Sequence, residues 1–208
     1  MPRFLENIPV VTRNLLIVNV IMFLATLVNE QFMVQTFAMF YPSSPFFRFW
    51  QPLTHMFMHG GWWHIFFNMY SLVMFGMVVE RSIGVKRFLI LYFVTGLGAV
   101  ALHTGVEWLE ITYMGANRLT AMYTPMVGAS GAIYGILVAF AMIYPEARMT
   151  LIFPPVTLDA KWMVIIFIAI ELFTGISGSQ IGIAHFAHLG GALFGWLIMT
   201  YWKKRYYR

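Results

Sequence analysis

The chain has 208 residues, of which 60% are hydrophobic, 18% aromatic and only 10% charged. A soluble domain carries about 25% charged residues, so this composition excludes a water-soluble globule. The high hydrophobicity also excludes an intrinsically disordered chain. The net charge of +5 does not indicate a nucleic-acid partner, because the basic residues fall in short clusters between apolar runs and not on one face.

Six apolar runs predict membrane-spanning helices. They cover about Leu15–Val28, Trp62–Val79, Phe88–His103, Ala129–Tyr144, Trp162–Phe173 and Ala184–Trp202. The first run lacks a small-residue cleavage site, so we interpret it as a helix and not as a removed signal peptide. We therefore expect an all-α polytopic membrane protein, folded as one membrane-embedded domain over residues 1–208.

The basic residues predict how these helices are oriented. With the N-terminus inside, eleven of the thirteen Lys and Arg residues fall in inner segments, and only Arg48 and Arg118 fall outside. This distribution follows the positive-inside rule. An odd number of helices would place the basic C-terminal cluster outside, so the sequence predicts six helices with both termini in the cytoplasm.

The connections between the runs differ in character. The first, Asn29–Gly61, is rich in Pro, Phe and Trp, which predicts a structure in the outer membrane interface; an ordinary loop packed on the bundle is the alternative. Phe153-Pro154-Pro155 breaks the chain between the fourth and fifth helices. Gly175–Gly182 contains three glycines, so we expect it to be mobile.

Polar side chains inside apolar spans are costly and mark function by default. One cluster pairs His55 with His59, and His64 with Asn68, each four residues apart and so on one helical face. These groups either bond neighbouring helices or bind a metal. The H-E-x-x-H pattern is absent and no carboxylate adjoins them, so we expect no metal.

Two further clusters combine small residues with reactive ones. Gly128-Ala129-Ser130-Gly131 begins the fourth helix, where free backbone N–H groups and the helix dipole favour an anion. On the sixth helix, His188, Gly191 and Gly195 are spaced 0, 3 and 7, which places them on one stripe. Each pattern alone is typical of close helix packing.

Together these clusters fit one chemistry. A serine hydroxyl becomes nucleophilic when a histidine accepts its proton. Ser130 would supply the hydroxyl and His188 the histidine. The oxyanion formed needs donors, for which the Ser130 N–H, His64 and Asn68 are candidates. No carboxylate lies on the sixth helix and Glu171 is on the preceding one, so we expect a Ser–His dyad without an acidic third member.

Tyr134 lies one turn after Ser130. It would either pack against the imidazole and hold its orientation or serve as an ordinary core aromatic. The six-helix topology places Ser130 and His188 at a similar depth near the outer face, because both stand early in helices that run from outside to inside.

These residues, in this order, resemble the rhomboid intramembrane serine proteases, and the bacterial members in particular. The matching blocks extend over about residues 48–196: Trp50, His59-x₄-His64-x₃-Asn68, Glu80 before Gly84, Gly128-Ala129-Ser130-Gly131 with Tyr134, and Ala187-His188-x₂-Gly191-x₃-Gly195. The combination is specific, although no single block is.

The resemblance implies a six-helix rhomboid bundle with an interfacial first loop, acting as a serine endopeptidase. It implies that Ser130 is the nucleophile, His188 the general base and His64 and Asn68 part of the oxyanion hole, and that His59 helps to hydrate the cavity. The supporting residues would be Tyr134, Gly128, Gly131, Gly191 and Gly195. No metal or cofactor is implied, and we expect no bond-making role for His55 or His185.

The expected partners are the lipid bilayer and single-pass or polytopic membrane-protein substrates, cut near the outer face of a bacterial cytoplasmic membrane. The fifth helix with Gly175–Gly182 would be the lateral gate. One residue departs from the family: Gln51 follows Trp50 where many members have Arg, which puts the charged contacts of the first loop in doubt.

Two alternative functions remain open from the sequence. The first is a catalytically silent rhomboid-like protein that binds membrane helices. The second is a metal-binding membrane transporter that uses His55, His59, His185 and His188.

Overall fold

A computed structural model describes residues 6–151, 155–177 and 185–206 of the chain. The helices are α1 Val10–Val28, α2 Glu30–Phe37, α3 Gln51–Thr54, α4 Trp62–Ile83, α5 Val85–Tyr113, α6 Arg118–Tyr123, α7 Ser130–Ile143, α8 Ala160–Ser177 and α9 His185–Tyr206. Strands β1 Arg148–Thr150 and β2 Thr157–Asp159 form an antiparallel pair. Part of Phe153-Pro154-Pro155 and most of Gly175–Gly182, for which the sequence predicts a chain break and a mobile segment, lie outside the described residues.

Every predicted apolar run overlaps one of the long helices. Among the described residues, four helices are long and apolar enough to cross a membrane: α1, α4, α5 and α8. Helix α7 is apolar but has 14 residues, and α9 has 22. The all-α membrane fold is therefore confirmed, whereas the number of crossings remains a prediction.

Helix α5 continues ten residues beyond the predicted end at His103. His103 and Glu107 are four residues apart, and His103 Nε2 lies 3.6 Å from a Glu107 carboxylate oxygen. Such i, i+4 pairs support a helix whose surface has become polar. The apolar run thus ends before the helix does.

Helix α7 lies at the centre of the bundle. Nine of its 14 residues are buried, and seven of these belong to the main hydrophobic core together with residues of α1, α4, α5, α8 and α9. A helix that is apolar on every side is stable only when other elements surround it. The first turn of α7, which begins at Ser130, is therefore held inside the protein.

Helices α7 and α9 approach each other through glycines. A methyl group on Gly191 would overlap the carbonyl oxygen of Gly131, and one on Gly195 would lie 2.8 Å from Gly135 Cα. The contacting pair advances by four residues in both helices, so α7 and α9 run in the same direction. This is the close approach that the small-residue pattern predicts.

Helix α1 is capped by a carboxylate from α4. Glu80, only 3% exposed, accepts hydrogen bonds from Val11 N at 2.9 Å, from Thr12 N at 2.7 Å and from Thr12 Oγ1 at 2.7 Å. These backbone N–H groups have no partner within their own helix. A negative charge at a helix N-terminus is also favourable, so Glu80 joins α1 to α4.

The segment between α1 and α4 is folded onto the bundle. Phe40, Met56 and Met58 in it are buried, and Met39 pairs with Met126 in an isolated β-bridge. Its position in the membrane interface remains a prediction. The segment begins near α1 and ends at Gly60 and Gly61, next to the first turn of α4.

Candidate active site

Ser130 and His188 meet where α7 and α9 begin. Ser130 is the first residue of α7, and His188 lies in the first turn of α9. The glycine contacts hold the two helices together immediately below this level. His188 Nε2 lies 2.8 Å from Ser130 Oγ, a distance at which the hydroxyl can donate its hydrogen to the imidazole.

The ring of His188 is stacked on Tyr134. The two ring centroids are 4.6 Å apart, with planes inclined by only 8°. Tyr134 lies one turn after Ser130 on the same helix, so one face of α7 presents both the hydroxyl and the ring that supports its partner. Of the two roles left open for Tyr134, the geometry agrees with packing against the imidazole.

The expectation that no carboxylate approaches His188 is wrong. Glu171 on α8 places Oε1 2.9 Å from His188 Nδ1. The geometry at Nδ1 is not that of a well-aligned hydrogen bond, so this is a close electrostatic contact between the carboxylate and the ring. The previous helix is adjacent in space, and its side chain reaches the site even though 17 residues separate the two positions along the chain.

His64 approaches the site from the first turn of α4. A methyl group on Gly128 would lie 2.8 Å from His64 Nε2 and 3.5 Å from Ser130 Oγ, so Gly128 occupies the space between them. Gly128 also has φ +128°, which disfavours any other residue. His64 Nδ1 accepts a hydrogen bond from Gly60 N at 3.3 Å, so in the neutral ring Nε2 carries the hydrogen.

Asn68 is buried one turn further along α4. Its Nδ2 donates a hydrogen bond to the carbonyl oxygen of His64 at 2.8 Å, which leaves one amide hydrogen for another acceptor. Its Oδ1 has no hydrogen-bond partner among the described residues. The Asn68 side chain is therefore bonded to the backbone of its own helix, and its place in an oxyanion hole remains a prediction.

His55 and His59 lie below the surface of the connecting segment. His55 Nδ1 is 3.2 Å from the Gln51 carbonyl oxygen, and burial lowers the pKa of His55 from 6.5 to about 4. Burial, followed by the nearby His64, lowers the pKa of His59 to about 3. Both imidazoles are therefore neutral near pH 7. The ring centroids of His59 and His64 are 5.0 Å apart, so His59 borders the site.

Sequence reasoning missed two residues of this region. Glu171 places a carboxylate in an apolar run, which is itself a signal of function. It was left out of the predicted site because it lies on the helix that precedes the helix of His188. Gln51 was noted only as a departure from the family. It is fully buried, and its side chain is bonded to the backbone of the connecting segment.

Comparison with known proteins places these features in a family. The Rhomboid domain matches residues 47–205. The human presenilin-associated rhomboid-like protein, mitochondrial, is 35% identical over 159 residues, which is 74% of this chain and 39% of that protein. Rhomboid protease AarA of Providencia stuartii is 31% identical over 158 residues, 72% of this chain and 54% of that protein.

Rhomboid protein 1, mitochondrial, of Saccharomyces cerevisiae is 29% identical over 146 residues, 68% of this chain and 40% of that protein. The chain belongs to the rhomboid family and is a multi-pass integral membrane protein. It spans about two fifths to a half of the length of these relatives.

Proposed function

We propose that the chain is an intramembrane serine endopeptidase whose nucleophile is Ser130 and whose general base is His188. The observation that carries the proposal is the 2.8 Å contact between Ser130 Oγ and His188 Nε2. A relative that is named as a rhomboid protease supports the same reaction class. This single membrane-embedded domain would include the whole site.

The reaction follows from the positions of these two groups. Ser130 Oγ gives its proton to His188 Nε2 as it attacks the carbonyl carbon of the scissile peptide bond. The C–N bond then breaks, His188 returns the proton to the leaving amine, and Ser130 carries the acyl group as an ester. A water molecule activated by the same histidine hydrolyses that ester.

The oxyanion of the tetrahedral intermediate requires donors close to Ser130. The backbone N–H groups of the first turn of α7 have no carbonyl partner within their own helix, and the Ser130 N–H is one of them. His64 Nε2 carries a hydrogen on the other side of Gly128, and Asn68 Nδ2 has one hydrogen besides the one it donates to the His64 carbonyl oxygen. We assign the oxyanion hole to these groups; loss of one such donor typically costs about 10²–10³ in rate.

Membrane helices are the proposed substrates, and the site would lie near the outer surface of the bilayer. Trp62 and Trp63, at the start of α4, are 67% and 73% exposed, and Trp residues concentrate at membrane interfaces. They precede His64 directly, so they support a shallow depth for the site. At this depth water can reach the pocket from the outer aqueous side. The hydrocarbon core of the bilayer could not supply the water that hydrolysis requires.

The charge distribution supports an orientation with both ends on the inner side. We assign the chain to a bacterial cytoplasmic membrane, a location that its similarity to rhomboid protease AarA of the bacterium Providencia stuartii supports. Helix α8 is the proposed gate: only Ala160, Met163 and Val164 of its 18 residues are buried, so it is lightly held against the bundle.

Cleavage of a reporter membrane substrate in proteoliposomes tests this function. Ser130→Ala and His188→Ala are expected to abolish cleavage while the unfolding temperature stays near that of the wild type. Ser71→Ala, a serine elsewhere on α4, is the matched control and is expected to cleave normally. Cleavage at the wild-type rate by Ser130→Ala or His188→Ala would contradict the proposal.

A further inference from the structure

We infer that Glu171 is a positioning residue, which fixes the orientation of His188 and stabilises the charge that forms on it; this inference rests on the proposed function. It converts the expected dyad into a Ser–His–Glu arrangement in this chain. The carboxylate comes from α8, whereas the serine and the histidine come from α7 and α9.

Three polar groups converge on the Glu171 carboxylate. Oε1 receives a hydrogen bond from Tyr134 Oη at 2.5 Å and lies 2.9 Å from His188 Nδ1. Oε2 lies 2.6 Å from His185 Nδ1, which is also 3.2 Å from Thr174 Oγ1. The side chains of Glu171, His185 and His188 are 12%, 9% and 14% exposed. A carboxylate this shielded from water requires such partners.

The two carboxylate oxygens of Glu171 contact different groups. Oε2 is held by His185, which anchors the carboxylate to the first residue of α9. Oε1 faces the two rings that are stacked at the catalytic position, Tyr134 and His188. The carboxylate therefore lies on the side of His188 opposite to Ser130, where it favours a hydrogen on Nδ1 and leaves Nε2 free to accept the serine proton.

The stabilisation of His188 by the Glu171 carboxylate becomes stronger as the reaction proceeds. When the proton leaves Ser130, His188 becomes an imidazolium, and a carboxylate 2.9 Å away stabilises that charge more strongly than it stabilises the neutral ring. An interaction that strengthens in the transition state raises kcat and leaves substrate binding nearly unchanged. A merely structural clip between α8 and α9 would not produce this division between kcat and KM.

The role of Glu171 is tested by measuring kcat and KM for reporter cleavage by the wild type, Ser130→Ala, Glu171→Gln and Glu171→Asp in proteoliposomes. Glu171→Gln keeps the shape and removes the charge; we expect kcat to fall at least about 10-fold with KM within about twofold. Glu171→Asp restores the charge and should recover part of kcat. The matched control is Glu107→Gln, which removes another carboxylate that lies near a histidine, at 3.6 Å, and it should leave kcat unchanged.

Two measurements separate this role from folding and from the proposed function. The unfolding temperature of each variant is recorded, and rates are normalised to folded protein. A Glu171→Gln enzyme with wild-type kcat, a loss confined to KM, or equal losses in the Gln and Asp variants would overturn the positioning role alone. Cleavage by Ser130→Ala at the wild-type rate would overturn the proposed function and this inference with it.

Discussion

Gln51 organises the segment between α1 and α4 by binding backbone groups on two sides. Its Nε2 donates to the carbonyl oxygens of Gln35 at 3.1 Å and Phe46 at 2.9 Å. Its Oε1 accepts from the N–H groups of Arg48 at 3.1 Å and Phe40 at 3.4 Å. A neutral amide both donates and accepts, so this position holds the segment together without a charge.

Replacement of Gln51 by Ala should therefore destabilise this segment. The change removes the partner of several buried backbone groups, and we expect the free energy of unfolding in detergent to fall by about 1–3 kcal/mol. Gln31→Ala, at an exposed position on α2, is the control and should change it by less than about 0.5 kcal/mol. Equal stability of the two variants would show that Gln51 does not organise the segment.

The buried His55 should make the protein sensitive to mild acid. Its pKa is about 4 in the folded protein and 6.5 when unperturbed, so the unfolded chain binds the proton more readily. The stability is then complete above pH 6.5 and is lost as the pH falls towards 4. Between pH 7 and pH 5 this group alone should cost about 2 kcal/mol.

The matched variant for that prediction is His55→Gln, which cannot titrate but can still donate to the Gln51 carbonyl. Unfolding curves at pH 7 and pH 5 should differ less for this variant than for the wild type. An identical acid response in the two proteins would mean that His55 does not remain neutral in the fold. His59, whose pKa is lowered in the same direction, would account for sensitivity that persists.

Among single residues, the sequence identified the groups whose chemistry is visible in a motif. Ser130 and His188 were paired because a hydroxyl, an imidazole and small residues occupied matching helical positions. Glu171 was not paired, because the linear sequence does not say which face of the preceding helix points at the site. The rotation of α8 about its own axis depends on tertiary packing, and in the folded protein the Glu171 carboxylate faces the His188 imidazole.

At the scale of helices, the Gly131–Gly191 contact determines whether the site can form. Gly191 has no room for a methyl group beside the Gly131 carbonyl, so any larger residue must separate α7 from α9. Separation by even about 1 Å at this level would lengthen the contact between Ser130 and His188, because Ser130 directly precedes Gly131 and His188 lies one turn before Gly191. Misplacement of that size can cost about 10²-fold in rate.

Gly191→Ala is accordingly expected to reduce cleavage at least about 100-fold and to lower the unfolding temperature. The control is Gly105→Ala on α5, where an added methyl group meets nothing within 4 Å. That variant should retain activity and gain slightly in stability, since Ala favours a helix by about 1 kcal/mol over Gly. Normal cleavage by Gly191→Ala would mean that the close approach is not needed.

Helix positions could be predicted because long apolar runs have few other solutions in a membrane. The extension of α5 and the β1–β2 hairpin could not, since short polar pairs and turns leave little periodicity to detect. The fold of residues 29–61 was equally out of reach, because its order depends on hydrogen bonds from one buried side chain, Gln51.

At the scale of the whole molecule, the parallel α7 and α9 place the beginnings of both helices on the same side. The charge distribution predicts that this side is the outer one. The chain contains no cysteine, so single cysteines can report the orientation without removal of native thiols.

Ala116→Cys, in the exposed turn after α5, should react with a membrane-impermeant maleimide in intact bacterial cells. Lys204→Cys, exposed near the end of α9, should react only after permeabilisation. This outcome follows from the positive-inside rule, with the basic C-terminal cluster retained in the cytoplasm. The opposite labelling pattern would contradict the predicted topology and would show that the site lies at the inner face of the membrane.

Covalent labelling by a fluorophosphonate, followed by mass spectrometry of the modified peptide, reports directly whether His188 activates the Ser130 hydroxyl. It requires an activated hydroxyl and no knowledge of the substrate. We predict that the wild type is modified at Ser130, that His188→Ala reacts at least about 100-fold more slowly, and that Ser71→Ala reacts as the wild type does. Modification absent from Ser130, or equally fast without His188, would show that this serine is not a nucleophile activated by that histidine.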